Sequence, residues 1–193
     1  MRVLGIDPGT AIVGYGIIDY DKGIYKTLDY GCIYTDKDLE MSKRLSKIYT
    51  ELDALIKLYK PDFAGVEELF YFKNNKTIIS VGQARGVILL AIEQNNIDSV
   101  GYTPLQVKMG ISGYGRAEKK QVQEMVKRIL KLDEIPKPDD AADALAVAIT
   151  HIHSLSNLLG GSNIKNSCAK IDLKSKKTSC NKISLAEYKK MLK

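Results

Sequence analysis

The sequence contains few cysteines and no long apolar run. The three cysteines, Cys32, Cys168 and Cys180, form no CxxC pair and no Cys/His cluster, so neither a disulfide framework nor a zinc site is predicted. The chain has no run of about 18 apolar residues, the length that a transmembrane helix needs. Asp7 lies where a secretory signal would require its apolar segment. These absences predict a cytoplasmic protein with reduced thiols.

Positive charge is concentrated towards the C-terminus. The 193 residues include 29 Lys and Arg and 23 Asp and Glu, a net charge of +6. Residues 154–193 hold nine lysines and two acids, which leaves 20 basic and 21 acidic residues in 1–153. The polar, Gly/Ser-rich and then Lys-rich composition of 154–193 predicts a basic, disordered tail. Residues 1–153 are long enough to form one domain with its own core.

Charge is also uneven within residues 1–153. Residues 70–131 carry ten basic and four acidic side chains, while the flanking stretches hold the excess of Asp and Glu. This pattern is typical of an acidic, cation-requiring site beside a basic surface that faces phosphates. Random variation of surface charge along a chain produces similar patterns, so charge alone does not decide between the two.

Strand and helix patterns follow one another along residues 1–153. Alternating apolar residues and Gly-containing turns predict an antiparallel meander over 2–7, 12–19 and 24–35. Later segments predict helices over 39–59, 77–93, 104–110, 117–130 and 140–153, and strands over 63–66 and 97–102. The predicted fold class is α/β, with a mixed five-stranded sheet covered by helices on both faces. In the tail, 185–192 predicts a short helix.

Four acidic residues occupy positions that a packed core would not tolerate. Asp7 and Glu67 each end an apolar strand, and ligands of layered α/β folds gather where strands end. Asp140 and Asp143 are three residues apart and therefore neighbours on one face of an otherwise apolar helix. Burying a carboxylate there costs several kcal/mol, in order of magnitude, unless it is paired or bound to a metal.

Oxygen ligands without nearby His or Cys favour Mg²⁺ or Mn²⁺ over Zn²⁺. Two such ions about 4 Å apart can activate a water molecule and stabilise the departing oxygen in a displacement at phosphorus. The constellation therefore predicts phosphodiester hydrolysis with two metal ions in each active site.

Each acid also has a simpler explanation. Asp140 follows Pro138 and could act only as a helix N-cap. Asp7 in Asp-Pro-Gly-Thr could be a turn former, and Glu68 competes with Glu67 for the strand-end position. Asp143 has the weakest such alternative, because it lies in the apolar part of its helix.

Six motifs, in order and approximate spacing, resemble the RuvC family of Holliday-junction endonucleases. They span essentially 1–153 and are RVLGIDPGT at 2–10, VE with a following Phe at 66–70, GQARG at 82–86, QVK at 106–108, AEK at 117–119 and DAADALA at 140–146. A single GIDPGT motif would be weak, whereas six in order are specific. The tail over 154–193 is longer and more basic than the family leads us to expect.

The resemblance implies a ribonuclease H-like fold and a homodimer that makes paired, symmetric nicks in opposing strands of four-way DNA junctions. The family's four catalytic, metal-binding acids match Asp7, Glu67, Asp140 and Asp143, which selects Glu67 over Glu68. The small-residue helix over 77–93 resembles the dimer-forming helix of the family, and partnership with the RuvA and RuvB branch-migration machinery is implied. Positions that the family uses to contact DNA match Phe70, Lys108, Lys119 and Lys120.

Three rival functions remain to be separated. The GIDPGT motif resembles a phosphate loop of actin, Hsp70 and sugar-kinase ATPases, but the chain lacks their second Gly-rich loop and second lobe. An RNA-processing nuclease of the ribonuclease H-like fold would use the same metal chemistry. A DNA-binding module without catalysis would not require all four acids.

Overall fold

The computed structural model describes residues 1–68 and 75–160. Its elements, in chain order, are β1 (Arg2–Asp7), β2 (Ile12–Asp21), β3 (Ile24–Tyr34), α1 (Met41–Tyr59), β4 (Phe63–Glu67), α2 (Asn75–Gln94), β5 (Asp98–Tyr102), α3 (Pro104–Ser112), α4 (Lys119–Leu130) and α5 (Asp139–Gly160). Within these described ranges no helix is long and apolar enough to cross a lipid bilayer.

The strands form a five-stranded mixed sheet in the order β3-β2-β1-β4-β5. The pairs β3–β2 and β2–β1 are antiparallel, whereas β1–β4 and β4–β5 are parallel. The predicted mixed sheet is confirmed. Because β1 and β4 are parallel neighbours, their carboxyl ends lie at the same edge of the sheet.

Helices cover both faces, as the sequence predicts. On one face Leu4 and Ile6 of β1 pack in a buried cluster with Ile48 of α1 and Ile88 of α2. On the other face the core cluster contains Val3, together with residues of α3, α4 and α5. The alternation of side chains along β1 therefore separates two apolar layers.

A row of glycines brings α5 close to the sheet. Gly16, Gly5 and Gly65 lie side by side on β2, β1 and β4. A Cβ atom at Gly5 would overlap the carbonyl oxygen of Ala144, and one at Gly14 would overlap the carbonyl oxygen of Asp140. Only glycine allows this approach of helix to strand, and the approach positions the first turns of α5 over the end of β1.

Several helix boundaries differ from the predicted ones. α4 begins at Lys119 rather than 117, since Glu118 and Gln121 form a reciprocal capping box. α5 begins at Asp139 and continues to Gly160, past the predicted end at 153. The division into a domain over 1–153 and a tail stays a prediction, and 161–193, with the predicted helix at 185–192, lies outside the described residues.

Candidate active site

Three elements bring the four predicted acids to one edge of the sheet. Asp7 is the last residue of β1 and Glu67 is the last residue of β4. Asp140 and Asp143 lie in the first two turns of α5, where the contact between Gly14 and the Asp140 backbone holds the helix over β2 beside Asp7. Asp140 is inside the first helical turn, so it is not simply an N-cap.

Asp7 lies among like charges. Burial, followed by the charges of Glu67 and Asp143, a hydrogen bond with Glu67 and the charge of Asp140, raises the pKa of Asp7 to about 8. All three other predicted acids therefore contribute to the raised pKa of Asp7. Such a shift requires proximity as well as burial, and it identifies Asp7 as the centre of the acidic cluster.

Glu67 and Asp143 share this environment. Burial raises the pKa of both carboxyl groups, and the charge of Asp143 adds to the effect on Glu67. Lys119 opposes the shift at Asp143, because its Nζ lies 3.0 Å from Asp143 Oδ2. The same Nζ lies 3.3 Å from Asp139 Oδ2. One lysine thus offsets only part of the negative charge.

A cavity of about 270 Å³ opens beside these acids. Its lining comes from β4, α3, α4 and α5 and consists of Glu67, Pro104, Val107, Lys108, Lys119, Val122 and Asp143. Two of the predicted DNA-contacting lysines, Lys108 and Lys119, therefore share a cavity with two of the predicted catalytic acids. The arrangement places ammonium groups where a phosphate could approach the carboxylates.

Lys120, a third predicted DNA contact, lies outside this cavity. Lys120 lines a separate cavity of about 560 Å³ along α4, together with Tyr114 and Arg128. Phe70 lies outside the described residues. Their predicted roles stay predictions.

Two residues near the acids were not predicted. Asp139 pairs with Lys119, and its position next to Asp140 was the available signal. Cys32 lies on β3 opposite Gly14, and burial, followed by the charge of Asp140, raises the pKa of its thiol to about 11. No sequence pattern connects Cys32 to the acids, because only strand pairing brings it there.

The acidic cluster suits a divalent cation in its chemistry. Its donors are all carboxylate oxygens, which magnesium and manganese prefer, and burial together with the neighbouring negative charges raises the pKa of Asp7. Within 1–68 and 75–160, no three acidic, His or Cys side chains are already arranged as a set of metal ligands. The pairing of Asp143 with Lys119 is one physical reason. The four acids lie close enough to interact, and a cation would compete with Lys119 for the carboxylate of Asp143.

A protein-family model described as crossover junction endodeoxyribonuclease RuvC matches residues 3–151 of the chain. The chain belongs to the RuvC family. The predicted family, enzyme class and ribonuclease H-like fold are thereby confirmed, and the family is one of metal-dependent nucleases.

Similar RuvC proteins cover either the whole chain or its first four fifths. A RuvC from Fusobacterium nucleatum is 63% identical over 193 residues, which is 100% of both chains. A RuvC from Caldicellulosiruptor saccharolyticus is 59% identical over 160 residues, covering 82% of this chain and 96% of the other. The match with the first relative therefore extends over the C-terminal tail as well.

A solved structure of T. thermophilus RuvC in complex with a Holliday junction substrate is similar as well. It has a TM-score of 0.77 and 33% sequence identity, and the match covers 80% of this chain and 94% of the other.

Proposed function

We propose that this protein resolves Holliday junctions by metal-dependent, paired and symmetric nicks in opposing DNA strands during recombination and repair. The observation that carries the proposal is the meeting of Asp7, Glu67, Asp140 and Asp143 at one sheet edge in a chain of the RuvC family. Two lysines in the adjoining cavity support a phosphodiester as the group that enters it.

The four acids are the metal ligands in this proposal. Mg²⁺, for which Mn²⁺ can substitute, would be held by their carboxylate oxygens as two ions per active site. When bound, the ions would activate the attacking water and stabilise the leaving oxygen. Burial of Asp7 and Glu67 supports this role, because ligand carboxylates fixed by surrounding structure lose little freedom on binding.

Lys119 and Lys108 orient the substrate. The Lys119 ammonium group lies at the N-terminus of α4, where main-chain N–H groups also favour anions. When a phosphate enters the cavity, Lys119 can exchange part of its pairing with Asp143 for the phosphate. Lys120, on the other side of the same turn, is proposed to contact a neighbouring backbone phosphate, and Phe70 to stack against junction bases.

A homodimer would present this site twice. Along α2, Ile79, Gln83, Gly86 and Leu90 form an exposed stripe with four- and three-residue spacing. Ile79 is 65% exposed, and a Cβ atom at Gly86 would meet nothing within 4 Å. A second copy of α2 can approach such a stripe closely. A C2 dimer suits a junction that offers two equivalent strands.

The cellular setting follows from the substrate. A junction enzyme acts on chromosomal DNA, which supports a cytoplasmic location. Partnership with the RuvA and RuvB branch-migration machinery is proposed from family membership alone.

The test compares a synthetic four-way junction, a linear duplex and an RNA duplex, each with Mg²⁺ and with chelator. Wild-type protein should nick the junction alone, and only with Mg²⁺. Asp7→Asn and Asp143→Asn should abolish nicking but keep most junction binding. Nicking of the RNA duplex in preference to the junction would favour the RNA-processing alternative.

Glu67 and Glu68 provide a matched pair for the same assay. Glu67→Gln should abolish nicking, whereas Glu68→Gln should retain it, because the Glu68 side chain lies over Gly101 on the edge strand. Loss of nicking in Glu68→Gln alone would contradict the assignment of Glu67.

A further inference from the structure

A buried tyrosine–histidine pair links β5 to α5. The hydroxyl of Tyr102 lies 2.7 Å from Nδ1 of His151, and their rings meet edge to face. Tyr102 is 6% exposed and His151 is 2% exposed, so water does not compete for this hydrogen bond. The His151 ring also packs against Phe63, at the start of β4, with centroids 5.9 Å apart.

Tyr102 lies directly beside Glu67. The two residues are register partners in the parallel pair of β4 and β5, so their side chains leave the sheet on the same face. The next residue, Glu68, donates its backbone N–H to the carbonyl oxygen of Tyr102 over 2.8 Å. Tyr102 therefore fixes the end of β4 where Glu67 emerges.

His151 lies on the helix that carries Asp143. The two residues are eight positions apart, about 12 Å along the helix axis, on the side of α5 that packs on β4. The Cβ atom of His151 would be 3.4 Å from a Cβ atom at Gly65, two residues before Glu67. The hydrogen bond thus ties β5 to α5, and the packing of His151 on Phe63 and at Gly65 holds the strand bearing Glu67 against the helix bearing Asp143.

Packing alone does not explain why a tyrosine and a histidine occupy these buried positions. Nε2 of His151 is buried without a hydrogen-bond partner, which costs stability in comparison with an apolar ring of the same shape. Burial lowers the pKa of His151 to about 4, so the ring is neutral at neutral pH. The neutral ring keeps its hydrogen bond to Tyr102 through Nδ1 while Nε2 stays without a partner. The bond to Tyr102 is therefore suited to fixing the position of His151.

We propose that Tyr102 and His151 are positioning residues that hold Glu67 at a fixed separation from Asp143. The inference rests on the proposed metal site. Neither residue touches the substrate. Their hydrogen bond sets how far the strand-borne acid lies from the helix-borne acid, and therefore how well both can bind one cation.

The same helix supplies a matched control. Nε2 of His153 lies 2.8 Å from the hydroxyl of Tyr25, and its Nδ1 lies 2.9 Å from the carbonyl oxygen of Gly110. Tyr25 is at the start of β3, far along the sheet from the four acids. Tyr25→Phe and Tyr102→Phe each remove one hydroxyl from a Tyr–His pair anchored on α5, and only the second pair adjoins an acid.

The test measures Mn²⁺ binding to the free full-length protein by titration calorimetry, together with thermal melting in chelator. Tyr102→Phe should raise the Mn²⁺ dissociation constant about tenfold, as substitutions behind metal ligands usually do. Tyr25→Phe should leave it within about twofold while lowering Tm comparably. In junction nicking, kcat should fall in Tyr102→Phe with little change in KM.

Substitutions at His151 distinguish the loss of positioning from a general folding defect. His151→Asn can still form a hydrogen bond with the Tyr102 hydroxyl and should keep most of the Mn²⁺ affinity, whereas His151→Phe keeps the ring packing and should lose that affinity. Equal Mn²⁺ affinity in wild type, Tyr102→Phe and His151→Phe would overturn the positioning role alone. Absence of Mn²⁺ binding in the wild type would instead overturn the proposed metal site.

Discussion

Asp7 is a buried carboxyl group surrounded by like charges, and this gives the protein a distinctive dependence on pH. Without metal, burial and the neighbouring carboxylates raise the pKa of Asp7 from its ordinary value of 3.8, which the unfolded chain should show, to about 8. Between these values the folded state binds more protons than the unfolded state. The contribution of Asp7 therefore makes metal-free stability fall as pH rises through this window.

Replacing Asp7 by Asn should remove this dependence. In chelator, Asp7→Asn should match the wild type near pH 4 and exceed its unfolding free energy by about 5 kcal/mol, in order of magnitude, at pH 8. Urea denaturation at several pH values measures the difference. The exposed Asp133 offers a control, because Asp133→Asn should show no such trend. A constant difference between wild type and Asp7→Asn at all pH values would contradict the prediction.

Lys119 should act on substrate affinity and not on folding. Its side chain is 54% exposed, so its ion pairs add little stability, but it borders the cavity that a phosphate would enter. Lys119→Ala should weaken junction binding and reduce the slope of log K against log salt by about one unit. Lys57→Ala, which breaks a comparable pair with Asp53 on α1, should change neither. An unchanged slope in Lys119→Ala would remove it from the DNA contacts.

The sequence could predict which residues were candidates but not all of their contacts. Asp143 stands out because it interrupts an apolar helix, and the choice of Glu67 over Glu68 needed the family pattern. The pairing of Lys119 with Asp143 and the proximity of Cys32 to Asp140 join residues from different elements. Such contacts depend on how α4, α5 and β3 pack, which local patterns do not encode.

At the scale of elements, the close packing of α5 on the sheet decides where the helix-borne acids lie. Gly5→Ala would drive a Cβ atom to 2.1 Å from the backbone oxygen of Ala144, whereas Gly16→Ala would place one 2.7 Å from the Leu145 side chain and no nearer than 3.2 Å to its backbone. Gly5→Ala should therefore lower the unfolding free energy by about 2 kcal/mol or more, and Gly16→Ala by less. Urea denaturation ranks the two. Equal losses of unfolding free energy in the two variants would mean that α5 can move away from the sheet at no energetic cost.

Sequence periodicity predicts the elements well where one face is buried and the other exposed. α1 illustrates this, because its buried Ile48, Leu52 and Ile56 recur every four residues. The ends of helices are less predictable from periodicity: α1 starts two residues later than predicted and α5 runs on to Gly160. The glycine row was not predicted, because glycines on three strands align only once the strand register is known.

At the scale of the whole molecule, two-fold symmetry would couple the two nicks. Leu90→Glu puts a charge into the exposed stripe of α2 and should convert a dimer into a folded monomer, measured by light scattering after gel filtration. On a plasmid with an extruded cruciform, the dimer should produce linear DNA and the variant mainly nicked circles. Leu58→Glu replaces another exposed leucine, on α1, and should remain dimeric. A dimeric Leu90→Glu variant would place the interface elsewhere.

The central claim is that acids from β1, β4 and α5 fold together to hold divalent cations. Anomalous diffraction from crystals grown with Mn²⁺ tests it most directly. Manganese density is expected between the carboxylates of Asp7, Glu67 and Asp143, with the Lys119 ammonium group displaced from Asp143. Manganese bound only at other acidic residues, with these carboxylates unliganded, would contradict it.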